Sequence, residues 1–197
     1  MGDLYAGANV FSDCTTNWAK GYIAYANKMG IVAGVGGGKF NPSGSVTGAQ
    51  AAKMMLVALG YDAATEGYTG SQWSVNVLAD ARDAGLLEGL EGVNMGAALS
   101  RENAALMMLN TLTANMVTYK GGTNITTSDG TSVVVDAERE YVENLSGTGY
   151  KITNATVNND QLMQFCEKYF TDLELRSDAA TDSFGRPSNT WYNDNDK

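Results

Sequence analysis

The chain has 197 residues, 44% of them hydrophobic, and a net charge of −9. That length buries one sizeable core or two small ones, and the acidic balance excludes a nucleic-acid partner, which needs a basic face to meet its phosphates. There is no histidine and there are two cysteines, which removes most zinc sites and the usual catalytic base, so no metal, cofactor or catalytic residue is expected.

The longest apolar stretch, Met54 to Leu59, is far too short to span a membrane, and no membrane insertion is expected. Met1-Gly2-Asp3 has neither a basic start nor an apolar core, so no secretory signal is read there and the chain reads as cut from a longer parent. The first sixty residues carry a slight basic excess; acid accumulates toward the C-terminus. Cys14 and Cys166 are far apart, and spacing alone leaves both a disulfide and two free thiols open.

In chain order, Asn17 caps a helix running to about Met29. Trp18, Tyr22, Tyr25 and Met29 share one face of it, and Gly30 suits the left-handed position that ends a helix. A loop from Ala33 to Ser45 follows, rich in glycine at 34 and 36–38. Thr47 then starts a second helix, with Gln50 three residues on in a capping box. Ala51, Met54, Met55, Ala58 and Leu59 are its expected buried stripe, and Gly60 closes it.

The same logic recurs. Trp73, Val77, Ala81 and Ala84 form a face, Gly85 stops the helix, and Ser100 caps the next, whose stripe is Ala104, Met107, Met108, Thr111 and Leu112. Trp18 to Trp73, Gly30 to Gly85 and Gly34 to Gly89 are each 55 apart, and Thr47 to Ser100 and Met54 to Met107 are 53 apart. The second copy has lost two residues in its loop. A helical pair of this size must pack its apolar face on a neighbour.

After Lys120 the pattern changes. Thr123 to Asp136 reads as a hairpin turning at Asp129-Gly130. Glu138 to Leu145 is charged and without a clear period, and Asp160 to Phe170 reads as a helix presenting Leu162, Phe165 and Tyr169. From Arg176 the chain is polar, with a break at Gly185-Arg186-Pro187 and an exposed tail at Asn193–Asp196. Asn124, Asn144 and Asn154 begin glycosylation sequons by pattern alone. The expected fold is mainly α: two helix–loop–helix repeats packed together, over 1–62 and 63–120, and a small α+β extension, hairpin plus helix, over 121–197.

Several residues admit two readings. Trp18 and Trp73 serve either as core anchors, the commoner role, or as ligand contacts. Arg101 stands in the first turn of a helix, where a cation opposes the dipole; either a neighbouring carboxylate or an anionic ligand explains it. The glycines around Gly36 follow a helix, not a strand, and lack the Lys-Ser/Thr of a P-loop, so they read as a connector, or as a flexible loop beside a ligand groove with Lys39 near it. The paired methionines read as core.

Phe11-Ser12-Asp13, Trp18-Ala19, Gly30-Ile31, Gly34, Phe40-Asn41-Pro42 and Thr47-Gly48-Ala49-Gln50 together resemble the S-layer homology domain. The resemblance covers about residues 9–60 well and 66–115 more loosely; alignment puts Glu66 and Tyr68 where the first copy has Phe11 and Asp13. It implies modules arranged in threes that bind secondary cell-wall polysaccharide, often through a pyruvylated sugar, with the arginine of a Thr-Arg-Ala-Glu motif on the acidic group. That arginine is Gly48 in the first copy and Arg101 in the second.

The carbohydrate-binding residues so implied are Arg101, Ser100 and Glu102, with Trp18, Asp13, Thr47, Gln50 and Trp73 after them. A guanidinium forks onto a carboxylate, and an aromatic ring stacks on a sugar face. The implied function is non-catalytic anchoring at the cell surface, in the cell wall or S-layer. The alternatives are a protein–protein assembly module of a surface layer and an enzyme domain in the C-terminal third. A repeat face left uncovered would drive self-association.

Overall fold

Three of the four long helices end in one way, and that shared ending organises the first half of the molecule. In the computed structural model, which describes residues 2–126, 132–143, 162–170, 172–181, 183, 185 and 187–193, α1 spans Lys20–Lys28, α2 Gly48–Leu59, α3 Trp73–Asp83 and α4 Arg101–Thr113. After α1, Gly30 N donates to Asn27 O and Ile31 N to Ala26 O; after α3, Gly85 N donates to Arg82 O and Leu86 N to Ala81 O. The glycines take φ of 73° and 76°, which a side chain would oppose. Gly60 and Tyr61 close α2 with the same two bonds, to Val57 O and Leu56 O.

Two compact units emerge, Met1–Met108 and Leu109–Lys197, the boundary falling within α4. In the first, Ala52, Leu56, Leu59, Tyr68, Val77, Ala81, Leu86 and Met107 are wholly buried. The expected stripe of α2 is thus rotated: Ala52 and Leu56 lie at its centre, while Met54, Met55 and Ala58 are half-buried. On α4, Met107 and Thr111 are buried but Met108 is 53% exposed, so its methionine pair is not all core.

The aromatic stripe of α1 is also at the surface. Trp18 is 87% exposed, Tyr22 58% and Met29 53%. Phe11 and Cys14 pack instead on Ile23, with Ala19 and Phe40 against them. The segment preceding α1 folds onto its opposite side, because Asp13 ties it to the Phe40 turn, and Trp18, Tyr22 and Met29 are left exposed. A single 3-10 turn, Gly2–Tyr5, returns to α1, where Tyr5 meets Tyr25 at 5.4 Å and accepts a bond from Lys28 Nζ at 3.1 Å.

Among the described residues, the second unit adds two antiparallel pairs and a short helix. β1 (Val117–Thr126) pairs with β2 (Ser132–Tyr141), from Val117 opposite Tyr141 to Thr126 opposite Ser132. This hairpin is longer than the sequence suggested and takes in Glu138–Tyr141 of the charged stretch; Lys120 pairs with Glu140 across it. Its expected turn at Asp129-Gly130 lies outside the described residues, as do the sequons at Asn144 and Asn154 and the tail beyond Asn193.

α5 is only Phe165–Tyr169, and it buries Cys166 and Glu167, not the expected face; Tyr169 is 53% exposed. The polar stretch after Arg176 is no mere tail. β3 (Leu173–Thr181) pairs with β4 (Pro187–Asn193), with an irregularity between Arg176 and Ala180. Residues 114–116 are bonded to two other segments that also bond each other: Met116 N donates to Met163 O, Val142 N to Met116 O, Phe165 N to Ala114 O and Met163 N to Val142 O. Both cysteines are buried free thiols, and burial, with Glu167 adding to it, pushes Cys166 up to about 12.

Candidate functional site

The two capping turns singled out in the sequence lie next to each other. Leu99 N donates to Val46 O at 2.8 Å, and Thr47 faces Ala98 in a short antiparallel bridge. Ser100 follows directly. The starts of α2 and α4 are therefore tied through their lead-in segments.

At the start of α2, Thr47 and Gln50 form the reciprocal capping box. Gln50 N donates to Thr47 Oγ1 at 3.3 Å and Thr47 N to Gln50 Oε1 at 2.9 Å. The next two donors are used as well: Gly48 N reaches Ala97 O at 3.2 Å and Ala49 N reaches Met95 O at 2.8 Å. Gly48 is buried, and a Cβ there would run into Met95 Sδ and lie 2.9 Å from Met95 Cα. Any side chain at this position, where the resemblance would put an arginine, would meet Met95.

The start of α4 is open. Ser100 Oγ accepts from Asn103 N at 3.1 Å, an ordinary cap. Ser100, Arg101 and Glu102 are all exposed. Among the described residues, Arg101 makes no ion pair or hydrogen bond and the N–H groups of Arg101 and Glu102 meet no acceptor.

The other expected residues are scattered. Asp13 accepts from Phe40 N at 2.9 Å and Asn41 N at 2.8 Å. Those backbone donors, Phe40 first, hold its carboxyl below the usual range. Ser12 joins the clasp, its N–H and its hydroxyl both on Gly38 O, and Val35 N donates to Lys39 O. The glycine run is thus a hydrogen-bonded turn, not a loose loop. Trp18 meets Tyr22 edge-on at 6.4 Å. No hydrogen bond, ion pair or ring contact among the described residues joins Asp13 or Trp18 to the Ser100–Glu102 turn.

Trp73 opens α3 half-buried, with Lys53 Nζ 5.8 Å from its ring centre. Lys53 also donates to Tyr68 O at 2.7 Å, and the buried Tyr68 hydroxyl donates to Asp80 Oδ2 at 2.8 Å. Burial first and Asp80 second raise the Tyr68 hydroxyl's pKa. Sequence reasoning missed this joint between α2 and α3. Its one signal was Tyr68 standing where the first copy has Asp13.

Residues 10–52 match the model of the S-layer homology domain. That stretch is similar to the S-layer homology domain. A relative named "Cell surface protein", from Thermoanaerobacter kivui, is 36% identical over 118 residues, 59% of this chain and 14% of that protein. The chain thus spans a small part of that relative's length. No solved structure matches the chain significantly.

The S-layer homology domain so matched contains the Phe11 cluster, α1, the glycine turn and the first turn of α2. It holds Asp13, Trp18, Thr47 and Gln50. Ser100, Arg101 and Glu102 stand outside the matched residues, at the start of α4.

Proposed function

We propose that the chain is a non-catalytic anchoring part of a larger cell-surface protein and binds acidic cell-wall polysaccharide, such as one bearing a pyruvylated sugar. Its two helix–loop–helix segments, over 1–62 and 63–120, act as two S-layer homology repeats, and 121–197 is an appended extension. What carries the reading is Arg101: an exposed guanidinium at a helix start, without an ion pair among the described residues, beside two backbone N–H groups without acceptors. A carboxylate seated there meets a cation, a dipole and donors together. Ser100 shapes the turn, Glu102 borders it, and Trp18 offers an open ring for a sugar face. Sedimentation with purified cell-wall sacculi tests it: wild type should pellet with them and Arg101→Ala should not. A wild type that stays in the supernatant overturns anchoring.

The uncovered stripe of Trp18, Tyr22 and Met29 favours a second reading, assembly with other protein copies in a surface layer. It predicts self-association in light scattering that Trp18→Ser with Tyr22→Ser abolishes.

A further inference from the structure

The start of α2 is filled from within the protein. Each N–H of its first turn already has an acceptor: Ala97 O for Gly48, Met95 O for Ala49 and Thr47 Oγ1 for Gln50. An anion at a helix start needs those donors. The side-chain position is closed as well, since Met95 is buried and any Cβ at 48 would lie 2.9 Å from its Cα, a backbone atom that cannot simply rotate away. The segment that fills this place runs on into Leu99 and Ser100, so the same few residues seal one capping turn and present the other.

We propose that Met95–Ala97 are an internal latch that withdraws the Thr47–Gln50 turn from ligand binding, so that the chain takes a carboxylate-bearing polymer at the Ser100–Glu102 turn alone. The proposal rests on the anchoring reading for its ligand and deepens it: the chain is monovalent, and the first motif holds the two helix–loop–helix segments together. Thr47 and Gln50, implied as binding residues by family resemblance, become structural ones. The latch itself stands on geometry that needs no ligand.

The test has two arms. In the first, acidic oligosaccharide released from purified sacculi is titrated into the whole chain. One site per chain is expected; Arg101→Ala should weaken binding at least tenfold, and Thr47→Ala should leave it within twofold while lowering the urea midpoint. Two sites, or a loss for Thr47→Ala as large as for Arg101→Ala, overturns the proposal. The second arm uses no ligand. Gly48→Ala, Met95→Ala and the double variant are unfolded in urea, and the double variant should lose less than the sum of the single losses, because Met95→Ala removes the Sδ contact and leaves only those to Cα and Cβ. Additive losses overturn the latch. Should Gly48→Ala not fold, amide exchange of wild type decides: Gly48 and Ala49 should exchange far more slowly than Arg101 and Glu102, and equal rates overturn it. If the oligosaccharide does not bind wild type, anchoring fails and the latch is judged by the second arm.

Discussion

The first and second helix–loop–helix segments share a scaffold and differ in how its two key turns are used. Gly30 and Gly85 end their helices with the same pair of bonds, yet the capping turns that follow diverge. The Thr47 turn faces inward and every donor is occupied; the Ser100 turn faces solvent with two N–H groups free of acceptors among the described residues. The turns ahead of α1 and α3 diverge too. Asp13 clasps backbone from an exposed position, whereas its counterpart Tyr68 is buried against Asp80. Two segments with the same spacing can therefore end their helices alike while corresponding positions take different tasks, because helix ends are set by backbone bonds and the task by what packs nearby.

Exchanging the two turns is the hardest test of that contrast. Gly48→Arg, which restores the motif's arginine in the first copy, should cost about 3 kcal/mol in urea unfolding, since a long cation is forced against Met95 in a filled site. A neutral effect would mean that the two turns are interchangeable. Arg101→Ala should act the other way. It should weaken sacculus binding roughly tenfold to a hundredfold, the scale of a lost charged hydrogen bond of about 1.5–3 kcal/mol. Stability should stay level or rise by about 0.5 kcal/mol, because a cation at a helix start opposes the dipole. A destabilised Arg101→Ala would mark the arginine as structural.

The helices, their glycine stops and the Thr47–Gln50 box were legible in the sequence, because each is a local bond pattern with a residue-type signature. The faces were less so. Trp18, Tyr22 and Met29 recur at helical spacing, but which side of α1 meets the core depends on where Phe11 and Phe40 return, a non-local fact. Gly48 was legible as a missing arginine; that Met95 fills its place was not, since residue 95 is remote in sequence. The β3–β4 pair was hidden by its polar composition, which period-2 reasoning treats as loop.

Tyr68 sharpens the comparison at high pH. Tyr68→Phe removes the hydroxyl that donates to Asp80 and should cost about 1 kcal/mol at neutral pH. The folded pKa lies above the ordinary value of 10.0. Above that value the unfolded chain releases the tyrosine proton while the folded chain keeps it, so this contribution to stability is whole below pH 10 and fades as pH rises. Urea midpoints from pH 8 to 11 should show the wild type losing its lead over Tyr68→Phe. A constant lead would place the hydroxyl outside the coupling.

Asp13, the counterpart of Tyr68, should show the opposite sign and the smallest effect. Its carboxylate is exposed, so solvent screens what its bonds contribute. Two separate oxygens nonetheless take two separate backbone N–H groups, from Phe40 and Asn41. Asparagine supplies one acceptor and turns an amide donor toward the other N–H, so Asp13→Asn should loosen the turn and lower the urea midpoint slightly at pH 7. The folded carboxyl titrates below 3.8, its unfolded value. Its contribution is therefore complete above the unfolded pKa and is lost as pH falls through the folded one. The gap between wild type and Asp13→Asn should be full at pH 7 and close toward pH 2. If the Asp13 gap persists at pH 2, the clasp does not depend on the charged form, and the two aligned positions differ in shape alone.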